Sequence, residues 1–392
     1  MINTKYLKGD LRIPIFYLLL CAPLLLFFVN PQKMKLFVLL VLSLLVALII
    51  FGKKYLKAFK DNIKNLPLAL KVVLVLMVIL AGLSFIMSEG LSGRKLFGSH
   101  NDYFGLYTWL LLFIAGIFYS DIFRQIISKR FTYLAVVGLV GFSLLIDINN
   151  LVNLTGLYSN TFSLGLIASV LMVLSFYDNL KPRKIGIILS LAAVLLSFDV
   201  INISIYSCLL IYFVYKSGYL GKYLKSVVCA LALTLLIFVN IPNNLSLLLQ
   251  NRFDLFIRDQ QSNYALTGKK TINNGLFVGT RLGEKSLGKT GVVAVPRDIS
   301  TTLKVSNKYS YTNSLWLNLF RYFGIIFTAL FFITNLYLFK RARVRSDKLY
   351  LIIFVLLFIN TLISSISIEI LVLYFMALFG LTNFKDKVNE KT

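Results

Sequence analysis

Residues 35–64 read KLFVLLVLSLLVALIIFGKKYLKAFKDNIK: an apolar run that closes at Phe51, one glycine, then lysines at positions 53, 54, 57, 60 and 64. A bilayer-crossing helix needs roughly 17–20 apolar residues, which the run supplies. Cations gathered in the short connection that follows are the signal that fixes the orientation of such a span. The same alternation of apolar run and basic connection recurs outward in both directions. Spans are expected at 13–29, 35–51, 69–87, 104–119, 131–147, 162–177, 185–199, 203–216, 226–241, 315–338, 349–366 and 368–382. The expected fold class is therefore all-α: a polytopic integral membrane protein of about 12 transmembrane helices, with residues 1–392 as a single membrane domain.

Composition supports that class. Hydrophobic residues make up 58% of the chain, including 33 phenylalanines, which excludes an ordinary soluble domain. The net charge of +25 is spread over short connections between apolar runs, so no nucleic-acid partner is expected and membrane lipids are. Cys21, Cys208 and Cys229 all fall inside apolar runs, where neither a disulfide framework nor a thiolate metal site is readable. The run 13–29 lacks a small-residue cleavage site and a second run follows at once, so it reads as a retained span rather than a signal peptide.

The cations sort by side. Lys53 to Lys64, then Arg124, Lys129 and Arg130, then Lys181, Arg183 and Lys184, then Lys216, Lys222 and Lys225, and finally Lys340, Arg341, Arg343, Arg345 and Lys348 follow the even-numbered spans. Most short connections after odd-numbered spans are poor in cations, and 147–160 and 199–202 carry none. By the positive-inside rule both termini lie in the cytoplasm, and the protein is expected in the cytoplasmic membrane. The long polar stretch 242–314, between the ninth and tenth spans, is then extracytoplasmic. It is nonetheless basic: Arg252, Arg258, Lys269, Lys270, Arg281, Lys285, Lys289, Arg297, Lys304 and Lys308 stand against Asp254, Asp259, Glu284 and Asp298. Long loops translocate largely regardless of charge, so one reading is a tolerated surface loop. The other is a binding surface for an anion such as phosphate or pyrophosphate, which arginine forks grip through two hydrogen bonds.

Four segments, in order, carry a resemblance. They are 96–112, LFGSHNDYFGLYTWLLL; 154–165, LTGLYSNTFSLG; 252–256, RFDLF, with a glycine-spaced turn at 275–283; and 311–326, YTNSLWLNLFRYFGII. Together they resemble the O-antigen ligase and polymerase family of membrane glycosyltransferases, over roughly residue 96 to the end. The resemblance implies an enzyme of surface polysaccharide biosynthesis on the outer face of the cytoplasmic membrane. Its donor is a glycan linked to polyprenyl pyrophosphate. A hydroxyl of a glycan or lipid acceptor attacks the anomeric carbon and the pyrophosphate leaves. No cofactor or metal is implied, and the chain contains no nucleotide-binding Gly-x-x-x-x-Gly-Lys-Ser/Thr loop. The chain departs from the family pattern in three places. Thr312 stands where ligase members carry His, Asp102 where an Arg often follows the Gly-Ser of the early motif, and 199–204 holds no Arg.

The developing charge on a pyrophosphate leaving group needs cationic donors. Arg252 and Arg258, at the entrance of the long loop, are the first candidates, with an interfacial arginine as the plain alternative. Arg281 is a candidate contact to the acceptor chain, with a simple solvated charge as the plain alternative. Tyr311, Thr312 and Asn313 form the loop exit, and Arg321, inside the tenth span, is expected to face the bundle rather than lipid tails. For the base that takes the acceptor proton, the candidates are His100, the one histidine of the chain, and Glu369, an acid at a helix end next to hydrocarbon. A lone loop histidine is more often a surface residue, and aromatic residues collect at membrane interfaces without binding sugar. A lipid-glycan flippase or transporter, and a catalytically silent relative of the ligases, are the competing readings.

Overall fold

The computed structural model describes residues 10–22, 31–87, 106–152, 161–176, 183–196, 200–216, 315–345, 348–363 and 368–383. Among these residues every regular element is helical and there is no strand, so the all-α class holds. The helices are α1 (Arg12–Cys21), α2 (Pro31–Phe51), α3 (Lys53–Asn65), α4 (Leu68–Met87), α5 (Leu106–Tyr119), α6 (Phe123–Ile127), α7 (Arg130–Val152), α8 (Thr161–Ser175), α9 (Lys184–Leu196), α10 (Val200–Lys216), α11 (Leu315–Arg345), α12 (Lys348–Ile363) and α13 (Ile368–Gly380). A 3-10 turn, Leu381–Asn383, follows. The expected span 226–241 and the long loop 242–314 lie outside the described residues.

The apolar helices fall where the apolar runs predict them, but most are shorter than a full crossing. Among the described residues one helix, Phe323–Arg343, is long and apolar enough to cross a membrane. A second is added if Leu36–Phe51 and Lys53–Asn65 count as one bent span, and eight further apolar helices have 10–17 residues. Two elements differ from the sequence expectation. Residues 53–65 and 123–127 read as charged connections yet form α3 and α6. Lysine propagates a helix well, and α3 gains packing because Tyr55 and Asn62, two turns apart, are buried on one face. Gly52, extended at φ −97° and ψ 101°, breaks the chain before α3 and lets it turn 98° from α2. Leu66 is extended ahead of Pro67, as a residue before proline prefers, and that ends α3.

The described helices form two compact units, with the boundary inside α7 after Leu139. The first holds α1 to α6, the start of α7, and α11 to α13. Its centre is α5 against α13, and Gly116 is the reason they approach so closely. A Cβ there would lie 2.9 Å from the Phe375 carbonyl oxygen. Small residues of this kind let apolar helices touch backbone to backbone. Around that contact Trp109 makes edge-to-face pairs with Phe323, Phe327 and Phe331 of α11 and with Phe375 of α13, with ring centroids 5.5 to 6.2 Å apart. Tilted and edge-on pairs at such distances add to the area they bury.

Helix α11 continues past the expected span end into the basic segment, and it is broken. Gly324 has φ 81° and ψ −178°, so two helical pieces meet there at a kink. Only glycine adopts that backbone readily. Thr328 Oγ1 donates to the Gly324 carbonyl at 2.9 Å and satisfies one of the groups near the break.

The second unit contains the rest of α7 with α8, α9 and α10. Ala168, Ser169, Ser190 and Ala193 are buried at its helix contacts. Ser190 and the Tyr206 hydroxyl share a hydrogen bond of 2.9 Å, and Phe176 stacks on Phe213 with centroids 4.6 Å apart. Helices in both units turn apolar side chains outward. Leu36, Leu40 and Leu44 repeat along α2 at 58%, 61% and 54% exposure, and Ile185 and Ile188 on α9 reach 68% and 66%. Soluble proteins rarely expose apolar surface in such continuous stripes.

Candidate functional site

Of the residues that the sequence singles out, His100, Arg252, Arg258, Arg281, Tyr311, Thr312 and Asn313 lie outside the described residues. Arg321 belongs to α11 just before the break at Gly324, and Glu369 belongs to the first turn of α13; only their backbone is described. The two helices that carry them meet further along, where Phe331 stacks on Phe375 and the Tyr374 hydroxyl donates to Asn335 Oδ1. Both residues therefore precede a shared contact.

The polar site that the described residues do form is elsewhere and was not anticipated. It gathers Asp10 and Arg12 before and at the start of α1, Asn62 on α3, and Asp121 after α5. Arg12 Nη2 donates to Asp10 Oδ2 at 2.8 Å, and Nε reaches both oxygens of the same carboxylate at 3.2 and 3.1 Å. Nη1 donates to both oxygens of Asp121 at 2.9 and 3.1 Å and to the Phe118 carbonyl at 3.1 Å. The guanidinium also sits 5.3 Å from the centre of the Phe118 ring. Asn62 Nδ2 donates to Asp121 Oδ1 at 2.9 Å and to the Ile117 carbonyl at 3.0 Å. The Tyr119 hydroxyl donates to the Arg12 carbonyl at 2.7 Å, while Leu11 N–H donates to the Tyr55 hydroxyl at 3.1 Å.

Local sequence explains each part. Asp10 Oδ1 accepts the Arg12 backbone N–H at 3.0 Å, one of the donors that a helix start leaves without an intrahelical partner. The chain leaves α5 through a turn at Ser120 to Ile122, which turns Asp121 back toward the helix end and frees the Phe118 carbonyl to accept. The Asp10 and Arg12 side chains are 3% and 7% exposed, and that of Asp121 is 34% exposed. Burial works against the Asp10 carboxylate, but hydrogen bonds and charge from Arg12 outweigh it and hold its pKa below the ordinary value. Burial likewise opposes the Arg12 charge, and the two carboxylates overcome it and raise its pKa.

Chemically this is a closed clasp. Arg12 Nε, Nη1 and Nη2 all face protein acceptors, so the guanidinium is committed within the fold rather than offered to a substrate. Among the described residues no group of three or more His, Cys, Asp or Glu side chains could hold a metal ion. The clasp joins three chain segments that the charge alternation assigns to the same side: the stretch before the first span, and the connections after the second and fourth. The same end of this unit holds Phe123 against Tyr350 of α12 with centroids 6.1 Å apart. The Tyr350 hydroxyl donates to the Ala377 carbonyl, near the end of α13, at 2.8 Å. Both belong to segments assigned to that same side.

A signal for the clasp existed in the sequence. Asp and Glu total 16 against 41 Lys and Arg, so two of the few acids at span ends are notable. Which cation they face is not written in any local motif. Comparison with known proteins leaves the family open: no family model matches the chain, and no curated protein or solved structure matches it.

Proposed function

We propose that this chain is a multi-pass membrane protein of about 12 spans, with both termini cytoplasmic, that acts as a glycosyltransferase on the outer face of the cytoplasmic membrane. In this reading it polymerises or transfers a glycan carried on polyprenyl pyrophosphate to a glycan or lipid acceptor. The membrane part is supported by the apolar stripes on α2 and α9 and by the meeting of like-assigned segments at one end of the first unit. The observation that carries the transferase part is the ordered set of segments at 96–112, 154–165, 252–256 and 311–326 around a basic loop.

Arg252 is the residue on which the reading turns, because a leaving pyrophosphate needs a fixed cation and one removed donor of this kind typically costs about 10²–10³ in rate. The Arg252→Ala variant, produced at wild-type level in the native membrane, is expected to lose long surface glycan chains, read from their length distribution. An unchanged distribution overturns the assignment.

A transporter of lipid-linked glycan is the second reading, favoured by one observation, the break in α11 at Gly324. Discontinuous helices are a recurrent device of transporters. The purified protein in vesicles separates the two. A transferase extends the glycan of a polyprenyl pyrophosphate donor, whereas a transporter moves it between leaflets without changing its length.

A further inference from the structure

The lysines that follow Phe51 are arranged more sharply on α3 than a charge count suggests. At 100° per residue, Lys53, Lys57, Lys60 and Lys64 fall within about 60° of one another, and all four are exposed. Tyr55 and Asn62, the buried residues of the helix, point the opposite way. Two tethers fix that rotation: Asn62 Nδ2 to the Ile117 carbonyl at 3.0 Å, and Leu11 N–H to the Tyr55 hydroxyl at 3.1 Å. Leu56 and Ile63 line the flank between the lysine stripe and the buried face, and Ile63 is exposed. Just ahead of the break, Phe51 is 85% exposed.

A basic stripe bordered by an apolar flank is the pattern of a helix that lies in a membrane interface. Orientation supplies the independent support. Because α3 turns 98° from the apolar piece of α2, it runs along the membrane plane when α2 crosses it. Lysine stems then cover apolar surface while their ammonium groups reach headgroup level. Asp61 is the one acid on the helix and lies outside the stripe. Four like charges so aligned repel one another unless an anionic surface meets them, and anionic headgroups attract each such lysine appreciably.

We propose that α3 is an in-plane docking helix whose stripe Lys53, Lys57, Lys60 and Lys64 binds the headgroup phosphates of anionic phospholipid, at the end of the bundle that carries Arg12. The inference rests on the membrane reading given under the proposed function. It assigns a lipid surface, and not the glycan donor, to these lysines.

The test uses the full chain reconstituted in phosphatidylcholine vesicles containing spin-labelled phosphatidylglycerol or spin-labelled phosphatidylcholine. Electron paramagnetic resonance reads the fraction of each label held at the protein surface. Wild type is expected to prefer phosphatidylglycerol, and the Lys53→Gln, Lys57→Gln, Lys60→Gln, Lys64→Gln variant to lower that preference at least about threefold. The corresponding four Lys→Arg changes are expected to keep it, which separates lost charge from lost fold. Neutralising Lys340, Arg341, Arg343 and Lys348 to Gln removes the same charge elsewhere on the same assigned side and is expected to lower the preference less. Equal loss in the two neutralised variants, or loss in neither, overturns the proposal. Wild type that holds neither label and is released by alkaline carbonate overturns the membrane reading as well; wild type that holds both labels equally overturns the lipid assignment alone.

Discussion

Arg12 engages two carboxylates and a carbonyl at once, and its side chain is 7% exposed. Breaking a buried pair from one side is the costly direction, because the remaining charge is stranded where water does not reach it. Arg12→Leu is expected to destabilise the protein by about 3–5 kcal/mol, read from thermal unfolding in detergent, since Asp10 then loses its partner. Asp121→Asn is expected to cost about 1 kcal/mol or less, because that side chain is a third exposed and water screens it. The pH dependence follows from the direction of the two shifts. Asp10 is held below its ordinary value of 3.8, so its contribution is complete above that pH and is lost as pH falls through the folded-state value. Arg12 is raised above its ordinary value, so its contribution is complete across neutral and moderately alkaline pH and fades only in strong alkali. The stability gap between wild type and Asp10→Asn is therefore expected to be flat from about pH 5 to 9 and to close below about pH 4.

Two glycines decide how elements meet. Gly116 sets the spacing of α5 and α13, since a Cβ would meet the Phe375 carbonyl and the Phe379 ring. Gly116→Ala is expected to push the pair apart at a cost of about 1–3 kcal/mol, the usual price of overpacking. Gly324 is different in kind, because its difficulty is the backbone angle. With φ at 81°, an alanine is strained whatever room it has. Gly324→Ala is expected to lower the unfolding midpoint by an amount equivalent to about 1–3 kcal/mol. A midpoint equal to or above wild type would show that α11 runs straight and that the break is not required. Neither glycine could be singled out in advance. Both sit in apolar runs whose hydropathy is the same whether the helix is straight, broken or tightly packed.

At the scale of the whole molecule, the sequence expectation is an arrangement of sides. A reporter joined after Thr392 is expected to read cytoplasmic, while one joined after residue 250 in a truncated chain reads outside. The reverse result at either junction removes the assignment of the 242–314 loop to the outer face. The apolar segmentation was legible because a run of hydrocarbon side chains without charge has few solutions other than a helix shielded from water. The expected sides rest on the clustering of cations in short connections. The helical nature of 53–65 was not legible, because a lysine-rich segment between spans reads first as a charged connection. Its burial of Tyr55 and Asn62 depends on the end of α5 packing against it. Of the candidate site, the role expected for Arg252 and its neighbours rests on residue type and order, and those residues lie outside the described ones. The clasp around Arg12 left only the faint signal of two acids at span ends, because Asp121 comes from 109 residues away along the chain.

The line between the two sources is physical. Hydropathy, charge clustering and helix propensity are properties of a residue and its neighbours within a few turns, so the sequence alone determines the all-helical class, the apolar segments, and the grouping of their basic connections. Pairing is a property of two distant segments, and only the tertiary structure decides it. It brings Asp121 and Asn62 to Arg12, makes Gly116 a contact rather than a spacer, breaks α11 at Gly324, and turns the lysines after Phe51 from a charged connection into a helix fixed at a right angle to α2.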